Sequence, residues 1–398
     1  MCCGMDFREK RIMISSKTFL TKTNVLNILF CLSLFTAGVI VNGLGILSPA
    51  YFSIVFVALF LILFTSIAKS RYLLENQIFV ICAAWFFLEL LINPTGDKKT
   101  GLFLIVTMLS YPIFDLFCKQ LNSEKLLQYS VCYVRFVIFL YLFELVVRLI
   151  SNHFTFSSLT DPMFFVRMFY LYKENLVIGG GDTNFIALHL LITYFFLFYL
   201  KRRFLLKMRL EALLLIFLIF FTFSRASWIS LVVGVVTIMF IHKKGKNKII
   251  KNRLLFISSL VFVLLIFLFS ALAYDPSFQT KIEIWTITSD FINNAKPRDL
   301  LLGLGFLNSI QIVKFNVAHT LISTLLMDTG LISLVLYFLC WIPILRQSHG
   351  FALYILIPIF IFALSFIQQM IPYLYITLAI ISNLEKKNAF SNNSCLQC

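Results

Sequence analysis

The sequence predicts an all-α, polytopic integral membrane protein of about twelve transmembrane helices, with both termini cytoplasmic and a large external loop between the ninth and tenth spans. Three observations predict it. Hydrophobic residues make up 60% of the 398 and mean hydropathy is +0.92, far above the roughly 45–50% apolar content of soluble domains. Apolar runs recur at the length a helix needs to cross a bilayer, roughly 20 residues at 1.5 Å each. Lys and Arg are divided unevenly between alternate loops, which sets the orientation.

Residues 1–24 form a basic tail (Arg8, Lys10, Arg11, Lys17, Lys22) without the apolar core and small-residue cleavage site of a signal peptide. Apolar runs follow at about 25–42, 50–67, 77–92, 101–118, 129–150 and 184–200. They continue at about 210–223, 227–241, 254–273, 318–341, 351–367 and 371–383. Residues 25–383 thus read as one transmembrane domain, and 384–398 as a second tail. An even number of spans puts both tails on one side. That side holds 23 Lys and Arg and the other 9, so the tails are assigned to the cytoplasm. The net charge of +16 is then mostly topology signal, and nucleic acid is not implied. The nine cysteines are scattered, without Cys-x-x-Cys or metal-ligand spacing. They are assigned to packing, and Cys2-Cys3 and Cys395…Cys398 are not assigned to lipidation.

This topology confines external chemistry to residues 151–183 and 274–317, together with the stretch Phe221-Thr-Phe-Ser-Arg-Ala-Ser-Trp228. The latter joins two apolar runs whose cores, Ala212 to Phe223 and Trp228 to Ile241, hold 12 and 14 residues, too short to span fully, so its turn should stop below the outer surface. Arg225 would then be a cation at depth, costing on the order of 3 kcal/mol unless it faces a polar cavity or an anion. Its structural alternative is an anchor that snorkels to the interface. Loop 151–183 ends in Gly179-Gly-Gly-Asp-Thr-Asn184, where Asp182 suits the cap of a helix beginning at Phe185. Asp182 and Asn184 could also offer donors and acceptors to a hydroxylated ligand. His189 reads as a packed histidine.

Loop 274–317 carries Lys281, Lys296, Arg298 and Lys314 among Trp285, Gly303 and Gly305. Lys281 and Trp285 stand at i, i+4, with Thr288 at i+7, as in an amphipathic helix lying at the membrane surface. Gly303-Leu-Gly305 reads as a turn, because the third glycine of a dinucleotide fingerprint is missing. His319 sits at the external mouth of the next span with Ser323 on its face, where an imidazole could accept a proton or simply make a structural hydrogen bond. Asp328 is expected to cap a second helical segment beyond a break. Glu144 and Arg148 are expected to pair with each other. Glu89 and Asp115 have no partner visible in the sequence, which makes them functional candidates by default.

Three segments, in order, resemble the O-antigen polymerase and O-antigen ligase family of bacterial membrane glycosyltransferases. They are Phe223-Ser-Arg-Ala-Ser-Trp228, the Lys281…Trp285 helix leading to Leu301-Leu-Gly-Leu-Gly-Phe306, and Val317-Ala-His-Thr-Leu-Ile-Ser-Thr-Leu-Leu-Met-Asp-Thr-Gly-Leu331. Asp182-Thr-Asn-Phe185 also looks like the polymerase members. The resemblance is concentrated in residues 180–340. It implies a multi-pass enzyme of the bacterial inner membrane that acts on glycans carried by undecaprenyl diphosphate at the periplasmic face, without nucleotide sugar, metal or cofactor. It also implies that Arg225 and Lys281 bind the diphosphate and that His319 is the base. Lys281 stands where the family has Arg, and Thr320 follows His319 where the family has Asn. Arg298, Trp285, Asp182 and Asn184 complete the expected substrate-binding set. Besides lipid-linked glycan and membrane lipid, a chain-length regulator protein is a candidate partner. A polymerase, a ligase that transfers the glycan to lipid A core, and a flippase or exporter are the alternatives.

Overall fold

The computed structural model describes residues 22–41, 76–151, 182–241, 276–313, 320–365 and 371–394, with Ser48, Pro49, Phe52, Leu176 and Ile178 between them. Every regular element among the described residues is helical: α1 Lys22–Thr36, α2 Gln77–Ile92, α3 Lys98–Gln120, α4 Ser123–Ser151, α5 Thr183–Phe204, α6 Arg209–Phe220 and α7 Arg225–Ile241. The chain continues with α8 Pro276–Asn294, α9 Pro297–Leu302, α10 Ile310–Val313 and α11 Leu321–Thr324. A π-helical turn, Leu325–Thr329, leads into α12 Gly330–Leu339, α13 Trp341–Gln347, α14 Leu353–Ala363 and α15 Pro372–Ser394. Ten of the twelve expected apolar runs coincide with a helix; runs 50–67 and 254–273 lie, Phe52 apart, outside the described residues. By length and composition α3, α4, α5 and the joined stretch Leu321–Gln347 can each cross a membrane, and α2, α7 and α14 are shorter apolar helices.

Burial separates the helices into two kinds. Every residue from Ile186 to Leu197 on α5 and from Ile371 to Glu385 on α15 is buried, as expected of helices that are apolar on all sides. These two form the centre. The helices around them turn large apolar side chains outward, among them Leu91, Phe139, Ile150 and Leu213, a surface suited to lipid. α3 packs between α2 and α15, while α14 packs on α7 and α5.

Several polar side chains inside the bundle are tied to partners. His189 lies between the Tyr133 and Tyr141 hydroxyls, 2.7 and 2.8 Å from its two ring nitrogens, and stacks on Tyr373 at 4.1 Å. It is a packed histidine, as the sequence suggested. Asp115 accepts from Asn76 and Asn383 and pairs with Lys119 at 2.8 Å. Glu89 accepts from Ser333 at 2.6 Å and Trp85 at 3.1 Å. Each carboxylate thus combines a partner four residues away on its own helix, Trp85 for Glu89 and Lys119 for Asp115, contrary to the expectation of none, with partners from distant segments that no local pattern could disclose. Glu144 accepts the Ile178 N–H at 3.3 Å.

Three local expectations change. α5 begins at Thr183, two residues before Phe185, because Asp182 accepts the Asn184 N–H at 2.9 Å and so sets the cap earlier. α7 begins at Arg225 itself, three residues before Trp228, and runs for 17 residues. Asp328 caps no helix: it lies in the π-helical turn and accepts the Ser309 N–H at 2.9 Å, while Thr329 occupies the cap position of α12.

Candidate functional site

The turn from α6 to α7 can be derived residue by residue. Phe223 adopts φ 52°, in the left-handed region that a bulky side chain rarely occupies, and this sharp reversal starts α7 immediately afterwards. The Ser224 carbonyl accepts from the N–H groups of Ser227 and Trp228 and from the Ser227 hydroxyl. Trp228 stacks on Phe220 at 5.1 Å and donates its indole N–H to the Ile219 carbonyl, fastening α7 back onto α6. Arg225, half-buried, is thereby fixed on the first turn of α7.

Across from it stands the first turn of α5. Asn184 donates its side-chain amide to Asp182 and accepts the Ser224 hydroxyl at 2.7 Å. The two segments singled out in sequence, Asp182–Asn184 and Ser224–Arg225, thus share one hydrogen-bonded rim. Tyr373, at the start of α15, reaches the Phe185 carbonyl at 3.5 Å and joins the same end of the bundle.

Lys281 donates to the Ser365 hydroxyl just beyond α14. Gly234 of α7 packs directly against Pro358 of α14. Arg225 lies nine residues beyond that contact, about 13 Å, and Ser365 seven residues beyond it, about 10 Å. Lys281 therefore belongs to the layer of Arg225. Ser365 carries no sequence signal of this role; it is merely the first polar residue after an apolar helix.

α8 was expected to present Lys281, Trp285 and Thr288 on one face. Its buried face is Ile284, Thr288 and Phe291, and Ile284 and Phe291 pack with Val313 and Met327 in a small second core. Trp285 sits at the edge, 37% exposed. Arg298 is exposed on α9. Neither shares a hydrogen bond with the Asn184–Ser224 rim.

The segment after α9 docks tightly. Leu304 and Gly305 donate backbone N–H groups to the Met327 and Asp328 carbonyls, both at 2.9 Å. Phe306 packs near Phe86 and accepts the Asp97 N–H through its carbonyl, and Asn308 reaches Thr95. Gly303 and Gly305 have φ 76° and 102°, so the expected turn is present, and any side chain at Gly303 would strike the Asp328 backbone. Asp97, at the cap of α3, is held below the ordinary carboxylate range by the Thr100 hydroxyl. The second and third sequence segments are thus bound to each other, backbone to backbone. Thr320 caps α11 by accepting the Ser323 N–H, and its hydroxyl bonds Ser323 Oγ, the atom expected to serve His319. His319 and Lys314 lie outside the described residues.

Residues 210–338 match the family model described as O-Antigen ligase. No curated protein matches the chain. The matched stretch runs from α6 through α12 and holds all three resembling segments; Asp182 and Asn184 stand outside it and reach it through the Ser224 hydrogen bond.

Proposed function

We propose that this protein is a membrane glycosyltransferase that joins undecaprenyl-diphosphate-linked repeat units at the periplasmic face of the bacterial inner membrane. The observation that carries the reading is the shared layer at one end of the bundle. There Arg225 stands beside the Asn184–Ser224 hydrogen bond, and Lys281 is held at Ser365. A cation on the first turn of a helix opposes the positive end of the helix dipole, and an anionic ligand reverses that sign. A diphosphate suits the place, since backbone N–H groups at a helix start and a guanidinium both favour phosphate oxygens.

In the proposed reaction the acceptor sugar hydroxyl attacks the anomeric carbon of the donor glycan. The new glycosidic C–O bond forms as the bond to the diphosphate breaks, and undecaprenyl diphosphate leaves with the bonding pair. Arg225 and Lys281 stabilise the charge that develops on the leaving group. His319 takes the proton of the attacking hydroxyl. Asp182 and Asn184 hold sugar hydroxyls at the rim, and Trp285 and Arg298 line the approach from the loop.

The description of the matched family favours a second reading, ligation of the finished glycan to lipid A core. Deleting the gene separates these. Loss of the polymerase leaves core capped with a single repeat, and loss of a ligase leaves lipid-linked polymer with bare core. Lipid-linked units trapped in the cytoplasmic leaflet would instead indicate a flippase and overturn both enzyme readings.

A further inference from the structure

The opposite end of the bundle carries a groove of about 690 Å³ between α2, the α12–α13 stretch and α15. This volume lies within the roughly 300–1,000 Å³ of small-molecule sites. That end lies 20 or so residues along α5 from the Asn184 rim, about 30 Å. It is marked by the ion pair of Arg203 with Glu385, and the charge asymmetry of the loops assigns it to the cytoplasm. The groove wall is graded along its length. Gln77, Arg346 and Lys386 stand at the outer end, where α2 begins and α13 finishes. Ile81, Ile342 and Leu339 lie one to two turns deeper and are 53%, 40% and 37% exposed. None of the lining residues is acidic. Asp115 is fully buried and pairs with Lys119 at 2.8 Å and with Lys386 at 3.8 Å, two cations on one carboxylate, and Lys386 also donates to Gln347 at 3.1 Å.

Two cations at the membrane surface, leading into an apolar channel open to lipid, match one ligand chemistry: a phosphate headgroup with an acyl chain below it. We infer that this groove binds an anionic phospholipid of the cytoplasmic leaflet, with the phosphate between Arg346 and Lys386 and one acyl chain along Ile81, Ile342 and Leu339. The inference is independent of the activity proposed for the other end.

Native mass spectrometry of the full-length protein, in detergent micelles containing equal phosphatidylglycerol and phosphatidylcholine, tests it. Each cation near the surface contributes roughly fivefold, so the protein should retain phosphatidylglycerol about 25-fold over phosphatidylcholine. The double variant Arg346→Gln, Lys386→Gln should fall to within a few-fold of no preference. A control pair at the same end but outside the groove, Lys201→Gln with Arg202→Gln, should keep it. Ile81→Trp leaves both cations and fills the apolar channel, and should lower phosphatidylglycerol retention by about tenfold. Equal retention of the two lipids by the unaltered protein would overturn the inference, as would a double variant or an Ile81→Trp variant that behaves like it. Displacement of the lipid by inorganic phosphate, or by equimolar undecaprenyl phosphate, would identify a different occupant and overturn it equally.

Discussion

Arg225 concentrates the functional argument because it is held on the first turn of α7 by Phe223, Ser224 and Trp228, next to the Asn184–Ser224 hydrogen bond. Arg225→Ala should abolish polymer formation without loss of protein from the membrane, and Arg225→Lys should retain a part, since it keeps the charge without the bidentate fork. Glycan ladders normalised to membrane protein measure this; activity that simply follows abundance would make the Arg structural. Lys281→Arg should be tolerated, because Ser365 offers an acceptor to either cation. For His319, general-base help of about 100- to 10,000-fold predicts a loss of that size in His319→Ala with donor binding kept. Turnover by purified protein on a defined lipid-linked repeat decides it, and near-normal rates in His319→Gln or His319→Asn would remove the residue from the mechanism.

At the scale of elements, the stretch from α9 to α10 is docked on the π-helical turn by backbone contacts in addition to its side chains. Gly330 has φ 78° and a Cβ there would collide with the Leu301 backbone, whereas Gly350, at φ 82°, has open space around it. Both alanine variants carry backbone strain, and at Gly330, where ψ is 175°, the conformation is essentially confined to glycine and costs on the order of 1–3 kcal/mol. Only Gly330→Ala also pushes α9 from the π-helical turn. Thermal unfolding in detergent should therefore show Gly330→Ala well below Gly350→Ala, and proteolysis within 295–313 should accelerate only in the former. Equal shifts would mean that the docking tolerates displacement. The second and third resembling segments follow from this arrangement: the glycines permit close approach, Phe306 fills the adjoining core, and Asp328 holds Ser309.

For the whole molecule, the orientation expected from loop charge has direct consequences for the site. Single cysteines placed in residues 151–183 and 274–317 should react with impermeant reagents in intact spheroplasts, and those in 243–251 only after lysis. The reverse pattern would put Arg225 and Lys281 on the cytoplasmic face and end the functional proposal. It would also move the phospholipid groove to the outer leaflet. The two ends of the bundle differ in chemistry as well as in side: one carries a hydrogen-bonded rim with Arg225 and Lys281, the other a cluster of ion pairs around Asp115 and Glu385.

Class, element positions and the Arg225 segment were legible in the sequence because each depends on local quantities: hydropathy over a window, charge per loop, a cap or glycine at a fixed offset. Thus Asp182 as a cap, His189 as a packed residue and Gly303-Leu-Gly305 as a turn follow from neighbours within a few positions. The distant partners of Glu89, Asp115, Asp328 and Lys281 do not, since Ser333, Asn383, Ser309 and Ser365 are brought to them from other elements, although Trp85 and Lys119 stand four residues from Glu89 and Asp115. Which face of α8 is buried was not legible either, for the same reason. Two stripes of that helix are apolar enough to face inward, and only its packing against Met327 and Val313 selects Ile284, Thr288 and Phe291. Periodicity determines that a helix is amphipathic, but which stripe is buried depends on a neighbour that the local sequence does not contain.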